Sequence, residues 1–222
     1  MKNKKIILFQ GDSITDACRE RERNVYLGSG YPNFIAGILE CKCPYEYEYI
    51  NRGVSGNRIT DMYARINKDA IKLSPDYLSI LIGINDVWHE VDVQDGVDNE
   101  KFEKVYDLML SEIKEKLPNT KLILMEPFVV KGIATNYNDE VWKYFDVETK
   151  KRAKVVRKMA KKYNATFIPL QDLFDSVSFE KENDSTYVRD GVHPTAAGSY
   201  LIAKRWIETF EKLEKLKNNI KI

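Results

Sequence analysis

The feature that most constrains this chain is a set of short, β-rich runs that recur along its length: "KIILFQ" (5–10), "YEYIN" (47–51), "YLSILIG" (77–83), "KLILMEP" (121–127) and "ATFIPL" (165–170). Several are continuously apolar, as strands buried on both faces of a parallel sheet are. Helical patterns lie between them. Over 100–117, Phe102, Val105, Leu108, Met109, Ile113 and Leu117 recur at three- and four-residue steps. A second helix is predicted over about 140–163. Its basic second half, "TKKRAKVVRKMAKKY", reads as a solvated face with lysines toward the negative helix end; without interleaved aromatics it does not read as a nucleic-acid patch. A last helix, "AAGSYLIAKRWIETFEKLEKL", carries Leu201, Ile202, Trp206, Ile207, Phe210 and Leu213 on one stripe and is expected to pack on the sheet. Strand then helix, repeated, predicts an α/β fold, a three-layer α/β/α sandwich with a five-stranded parallel sheet. No repeat, low-complexity tract or Pro/Gly-rich linker divides the chain. Residues 1–222 read as one domain, long enough to bury a core without disulfides or metal.

Charge excludes some partners. Lys and Arg total 35 against 34 Asp and Glu, a formal charge of +1, so nothing draws the whole molecule toward nucleic acid or anionic membrane, and a small or neutral substrate is expected. Cys18, Cys41 and Cys43 are an odd set that fits neither a disulfide framework nor a zinc ribbon, and they read as reduced thiols. The basic start "MKNKK" precedes an apolar run too short for a signal peptide, and no stretch approaches the ~20 apolar residues of a spanning helix. A cytoplasmic location is expected.

In sheets of this type the active crevice lies beyond the carboxyl ends of the strands. After the first strand comes "GDSITD", where Ser13 either caps a helix or serves as a nucleophile that needs a base and an oxyanion hole from elsewhere. After the second comes "NRGVSGNRITDM", whose Gly53 and Gly56 permit a tight turn or a backbone N–H aimed into the crevice. After the third comes "LIGINDVWH", where Asn85 is both a turn residue and a carboxamide donor. Near the end comes "RDGVHPTAAG". The chain has two histidines, His89 and His193; Asp190 lies three residues before His193 in a Gly- and Pro-containing loop, which makes His193 the better base.

These blocks together, Gly-Asp-Ser-Ile-Thr, Gly53, Gly-x-Asn-Asp and Asp-x-x-His-Pro, resemble the GDSL/SGNH hydrolase family, in the family's order and across residues 11–194. The resemblance implies a flavodoxin-like SGNH fold and a Ser-His-Asp triad of Ser13, His193 and Asp190. It further implies an oxyanion hole of the Ser13 N–H, Gly53 and Asn85, with no metal or organic cofactor. "GDSITDACR", "LGSGYPNFIAGIL" and "GINDVW" are more narrowly similar to the intracellular carbohydrate esterases of that family, notably acetylxylan esterases of Gram-positive bacteria. That implies hydrolysis of short acyl, notably acetyl, esters of sugars, and makes a homo-oligomer plausible.

Asp12 reads as ordering the loops or touching substrate. Trp88, Tyr26, Tyr31 and Tyr187 read as a sugar platform or as packing. Other acyl hydrolases of the family, acting on lipids or thioesters, remain open. A metal-dependent phosphoesterase is weakened by having only two histidines, and a flavodoxin-like nucleotide- or FMN-binding module by the lack of a full phosphate-binding fingerprint. Cys18 is a further candidate nucleophile.

Overall fold

The structure, a computed structural model, describes residues 4–177 and 186–215. Strands β1 (Lys5–Gly11), β2 (Tyr47–Asn51), β3 (Tyr77–Leu81), β4 (Lys121–Met125) and β5 (Thr166–Ile168) form one parallel sheet in the order β2-β1-β3-β4-β5. This is the flavodoxin-like order, and its direction reverses between β1 and β3. Each predicted run holds a strand, but three strands stop early. β3 and β4 end before Gly83 and Pro127, and β5 ends before Pro169, which has no N–H for the ladder.

The runs are continuously apolar because both faces of the sheet are covered. Ile7, Phe9, Tyr77, Leu81 and Ile123 point to one face, packed by α2 (Tyr31–Lys42) and α9 (Ala196–Glu214). Their neighbours Leu8, Leu78, Ile80, Leu122 and Leu124 point to the other, packed by α3 (Ile59–Ala64), α6 (Asn99–Lys116) and α7 (Asp139–Lys162). Of the α9 stripe, Ile202, Trp206, Ile207, Phe210 and Leu213 pack as expected, while Leu201 is half-buried outside the core; Trp206 stacks on Phe210 at 4.7 Å and donates its Nε1–H to the buried Ser79 Oγ of β3 at 3.0 Å. The end of that predicted helix, at Leu216, lies outside the described residues.

The stripe of α6 needs a correction. Leu108 is exposed, while Tyr106 and Leu110 are fully buried, so the inward set is Phe102, Tyr106, Met109, Leu110 and Ile113. The basic half of α7 is solvated and paired, with Lys158 on Glu103 and Lys162 on Asp107 across to α6. Arg152 is the exception. It is buried, ion-paired to Glu148, and donates to the Val97 carbonyl at 2.6 Å.

Candidate active site

The chain leaves β1 at Gly11 and enters the single turn α1 (Ser13–Asp16), which places Ser13 beyond the carboxyl end of the sheet beside the β1/β3 switch point. His193 and Asp190 come from the loop before α9. Ser13 Oγ lies 2.8 Å from His193 Nε2, and His193 Nδ1 lies 2.7 Å from Asp190 Oδ2. The other Asp190 oxygen accepts the backbone N–H of Val192 at 3.0 Å and of His193 at 2.8 Å. Partial burial alone would raise the Asp190 carboxyl, but the His193 imidazole and these two amides outweigh it and hold it at about 2. An ionised Asp190 makes Nδ1 the donor, which leaves Nε2 as an acceptor facing the serine hydroxyl. His89, on α5 (Ile84–Val93), hydrogen-bonds through its ring to no carboxylate among the described residues.

The loop carrying the acid and the imidazole is closed by the Val188–Pro194 bridge and by the Arg189 N–H donating to the His193 carbonyl at 2.8 Å. A second loop, following β4, backs it. The Val130 N–H donates to the Gly191 carbonyl and the Ala134 N–H to the Asp190 carbonyl, each at 3.0 Å. Gly191 has φ +106°, and a Cβ on Gly132 would lie 2.2 Å from the Gly191 nitrogen, so both positions require glycine. Reasoning from the sequence missed this support in "VVKGIATN"; its one signal was a glycine shortly after a strand end.

The donors near Ser13 differ in what already occupies them. Asp12, the N-cap of α1, accepts the Ile14 N–H at 3.0 Å and leaves the Ser13 N–H without an acceptor among the described residues. Asn85 is buried at the start of α5 and donates one N–H to the Asn57 carbonyl at 3.2 Å, which leaves the second for a ligand. The expectation for Gly53 is corrected. Its N–H is consumed by Asn51 Oδ1 at 2.9 Å, its carbonyl accepts from Arg19 at 2.8 Å, and it packs against the backbone of Asp16. Gly53 therefore buttresses α1. The available amide in that loop belongs to Gly56, at φ +81°, which has no acceptor among the described residues and open space beyond its Cα. Gly56 sits between Ser55, whose N–H and hydroxyl donate to Asp16 at 3.0 and 3.1 Å, and Asn57, which holds Asn85. The loop thus ties the Ser13 turn to the Asn85 helix. Both glycines were visible in the sequence, but which amide is free depends on the folding back of Asn51.

Ser13 and His193 line a cavity of about 450 Å³ together with Ile14, Cys18, Gly30 and Arg189. Cys18 is exposed there and has no hydrogen bond to His193. Asp12 is corrected as a substrate contact. It is fully buried, and burial pushes its carboxyl up to about 7 despite the amide of Ile14 and the charge of His193. Trp88 is half-buried, 5.7 Å from the His193 ring and edge-on to Phe145. Tyr187 is half-buried against the core, and Tyr31 is fully buried with its hydroxyl 2.9 Å from Thr15 Oγ1. Only Tyr26 of the four aromatics is largely exposed, so they do not form one platform. Among the described residues no three His, Cys, Asp or Glu side chains converge as a metal site, and no described helix is long and apolar enough to cross a membrane.

A parallel α/β/α sandwich with a serine, a histidine and an aspartate in one hydrogen-bonded line defines a hydrolase class, and the comparisons make it particular. Residues 9–201 match the GDSL-like lipase/acylhydrolase family. An acetylxylan esterase of Geobacillus stearothermophilus is 33% identical over 208 residues, 90% of this chain and 91% of that one. The crystal structure of the G. stearothermophilus acetylxylan esterase Axe2 superimposes with a TM-score of 0.80 at 31% identity, covering 94% of this chain and 96% of that one. A GDSL-like protein of Parabacteroides merdae superimposes with a TM-score of 0.85 at 37% identity, over 94% and 96% of the two chains. In Axe2, alanine replacements of a serine, an aspartate and the histidine three residues after that aspartate are catalytic mutants. The chain belongs to the GDSL-like lipase/acylhydrolase family and is a carboxylic ester hydrolase.

Proposed function

We propose that the protein removes short acyl groups, acetyl above all, from carbohydrate esters through an acyl-enzyme on Ser13. His193 Nε2 takes the Ser13 proton as Oγ attacks the ester carbonyl. The oxyanion that develops is met by the N–H of Ser13, the free N–H of Asn85 and the N–H of Gly56, which takes the role first read for Gly53. The imidazolium then protonates the departing sugar alkoxide oxygen, and neutral His193 activates the water that releases the acid. Asp190, ionised throughout, fixes the Nδ1–H tautomer and stabilises the imidazolium. The observation that carries this reading is the line of 2.8 and 2.7 Å contacts from Ser13 through His193 to Asp190. The sugar acceptor is supported by the likeness to acetylxylan esterases and by a cavity large enough for an acetyl group with part of a sugar ring. The free thiols of Cys18, Cys41 and Cys43 support a reducing, cytoplasmic setting.

The test compares wild type and Ser13→Ala on p-nitrophenyl acetate, on longer p-nitrophenyl esters and on acetylated xylo-oligosaccharides. Wild type should release acetate from the oligosaccharides and favour the shortest acyl chain, and Ser13→Ala should lose nearly all turnover. Near-wild-type rates in Ser13→Ala would remove the nucleophile. A preference for long chains with no acetate released from any sugar would remove the carbohydrate acceptor.

A further inference from the structure

The cavity beside Ser13 has a local charge that the balanced composition hides. Arg189 is exposed on its wall, and its side chain has no hydrogen-bond or ion-pair partner among the described residues. Among the described residues no Asp or Glu lines the cavity, and Arg189 is the one fixed charge they place there. The Arg189 backbone is held by the same 2.8 Å bond to the His193 carbonyl that closes the catalytic loop, which ties the guanidinium stem to the base. Two long helices also begin at this cavity, α2 behind Ser29 and Gly30 and α9 behind Thr195 and Ala196. Neither has an acidic residue in its first turn, so their positive ends reinforce the same sign. In Axe2 a tryptophan stands directly before the aspartate of the catalytic mutants. An indole offers a flat face to a sugar ring, whereas a guanidinium offers a fork of donors to a carboxylate or phosphate.

We propose that Arg189 is a specificity-determining residue that selects esters whose sugar acceptor carries an anionic group, a carboxylate or a phosphate, near the acylated hydroxyl. The inference rests on the esterase reading of Ser13 and His193. An anion paired with Arg189 and facing two helix N-termini is bound more strongly than the matching neutral sugar. Because that anion lies away from the carbonyl, the gain falls mainly on KM.

Two matched pairs test it: acetylated xylo-oligosaccharides with and without a glucuronic acid branch, and an acetylated sugar phosphate beside its dephosphorylated form. p-Nitrophenyl acetate serves as the reference. In wild type, kcat/KM for the anionic member of at least one pair should exceed its neutral counterpart by about tenfold, and the ratio should shrink as salt is raised. Which pair responds identifies the anion as carboxylate or phosphate. Arg189→Gln and Arg189→Trp should bring that ratio close to one, and Arg189→Lys should keep part of it. Turnover of p-nitrophenyl acetate with equal rates within both pairs, or a ratio that survives in Arg189→Gln, would overturn the role of Arg189 and leave the esterase reading standing. Wild type that hydrolyses no ester would overturn both.

Discussion

At the scale of residues, each group around Ser13 is defined by what else already binds it. Asn85 spends one N–H on Asn57 and keeps one free, so Asn85→Ala removes the proposed oxyanion donor and a tie to the Gly56 loop together. Its kcat on p-nitrophenyl acetate should fall by about 10²–10³, with KM little changed. Asp190→Asn keeps the shape but turns an amide toward the imidazole or offers a weaker acceptor to it, and kcat should fall by about 10⁴ through loss of the working tautomer. A loss below tenfold in either variant would show that the group does not serve the proposed step. Ser13, Asn85, Asp190 and His193 were legible in the sequence because each is the chemistry-bearing residue at a strand end or in a constrained loop. Gly56 was not, because the difference between it and Gly53 is a side chain, Asn51, that bends back onto one amide and leaves the other free.

At the scale of elements, the loop after β4 is the part that periodicity could not reveal. Helices and strands announce themselves by repeats, so α6, α7 and α9 were read to within a residue or two. Even so, Leu108, six residues after Phe102 and so well round the helix from it, faces solvent, and Tyr106 and Leu110 take the inward positions. The stretch from Glu126 to Asn136 has no repeat, and its work is done by backbone amides on Asp190 and Gly191. Gly132→Ala puts a methyl where the Gly191 nitrogen stands and should cost about 1–3 kcal/mol in urea unfolding, as overpacking does. It should also lower kcat, because the atom that moves is in the backbone between Asp190 and His193. Gly37→Ala is the contrast. It lies on the exposed side of α2 with nothing within 4 Å of the new Cβ, and it should stabilise by roughly 0.5–1 kcal/mol with kinetics unchanged. Equal activity and equal stability in Gly132→Ala would mean that the second loop does not position the first.

At the scale of the whole molecule, buried carboxyls should give stability opposing slopes with pH. Burial pushes Asp12 and Asp86 up to about 7, against the amides of Ile14 and Ile59 and, for Asp86, the charge of Arg152. A carboxyl whose folded value lies above its ordinary 3.8 stabilises through its proton. That contribution is full below about pH 4 and is lost as pH rises through about 7. Asp190 works in the other direction, since its stabilisation is present above about pH 4 and is lost as pH falls toward 2. Stability should therefore peak on the acid side of neutrality, within the window these values enclose. Asp12→Asn removes one of the two neutral-side groups and keeps an acceptor for the Ile14 N–H, so its unfolding free energy should decline less than wild type's from about pH 4 to about pH 7. The difference in slope should reach at most about 1.4 kcal/mol per pH unit, the limit for one proton. The limb below about pH 4 should stay parallel, because Asp190 is untouched. Urea titrations from about pH 2 to about pH 8 read both limbs. Curves parallel throughout would place the Asp12 carboxyl near its ordinary value in the fold, and the turn beneath Ser13 would then hold a charged cap.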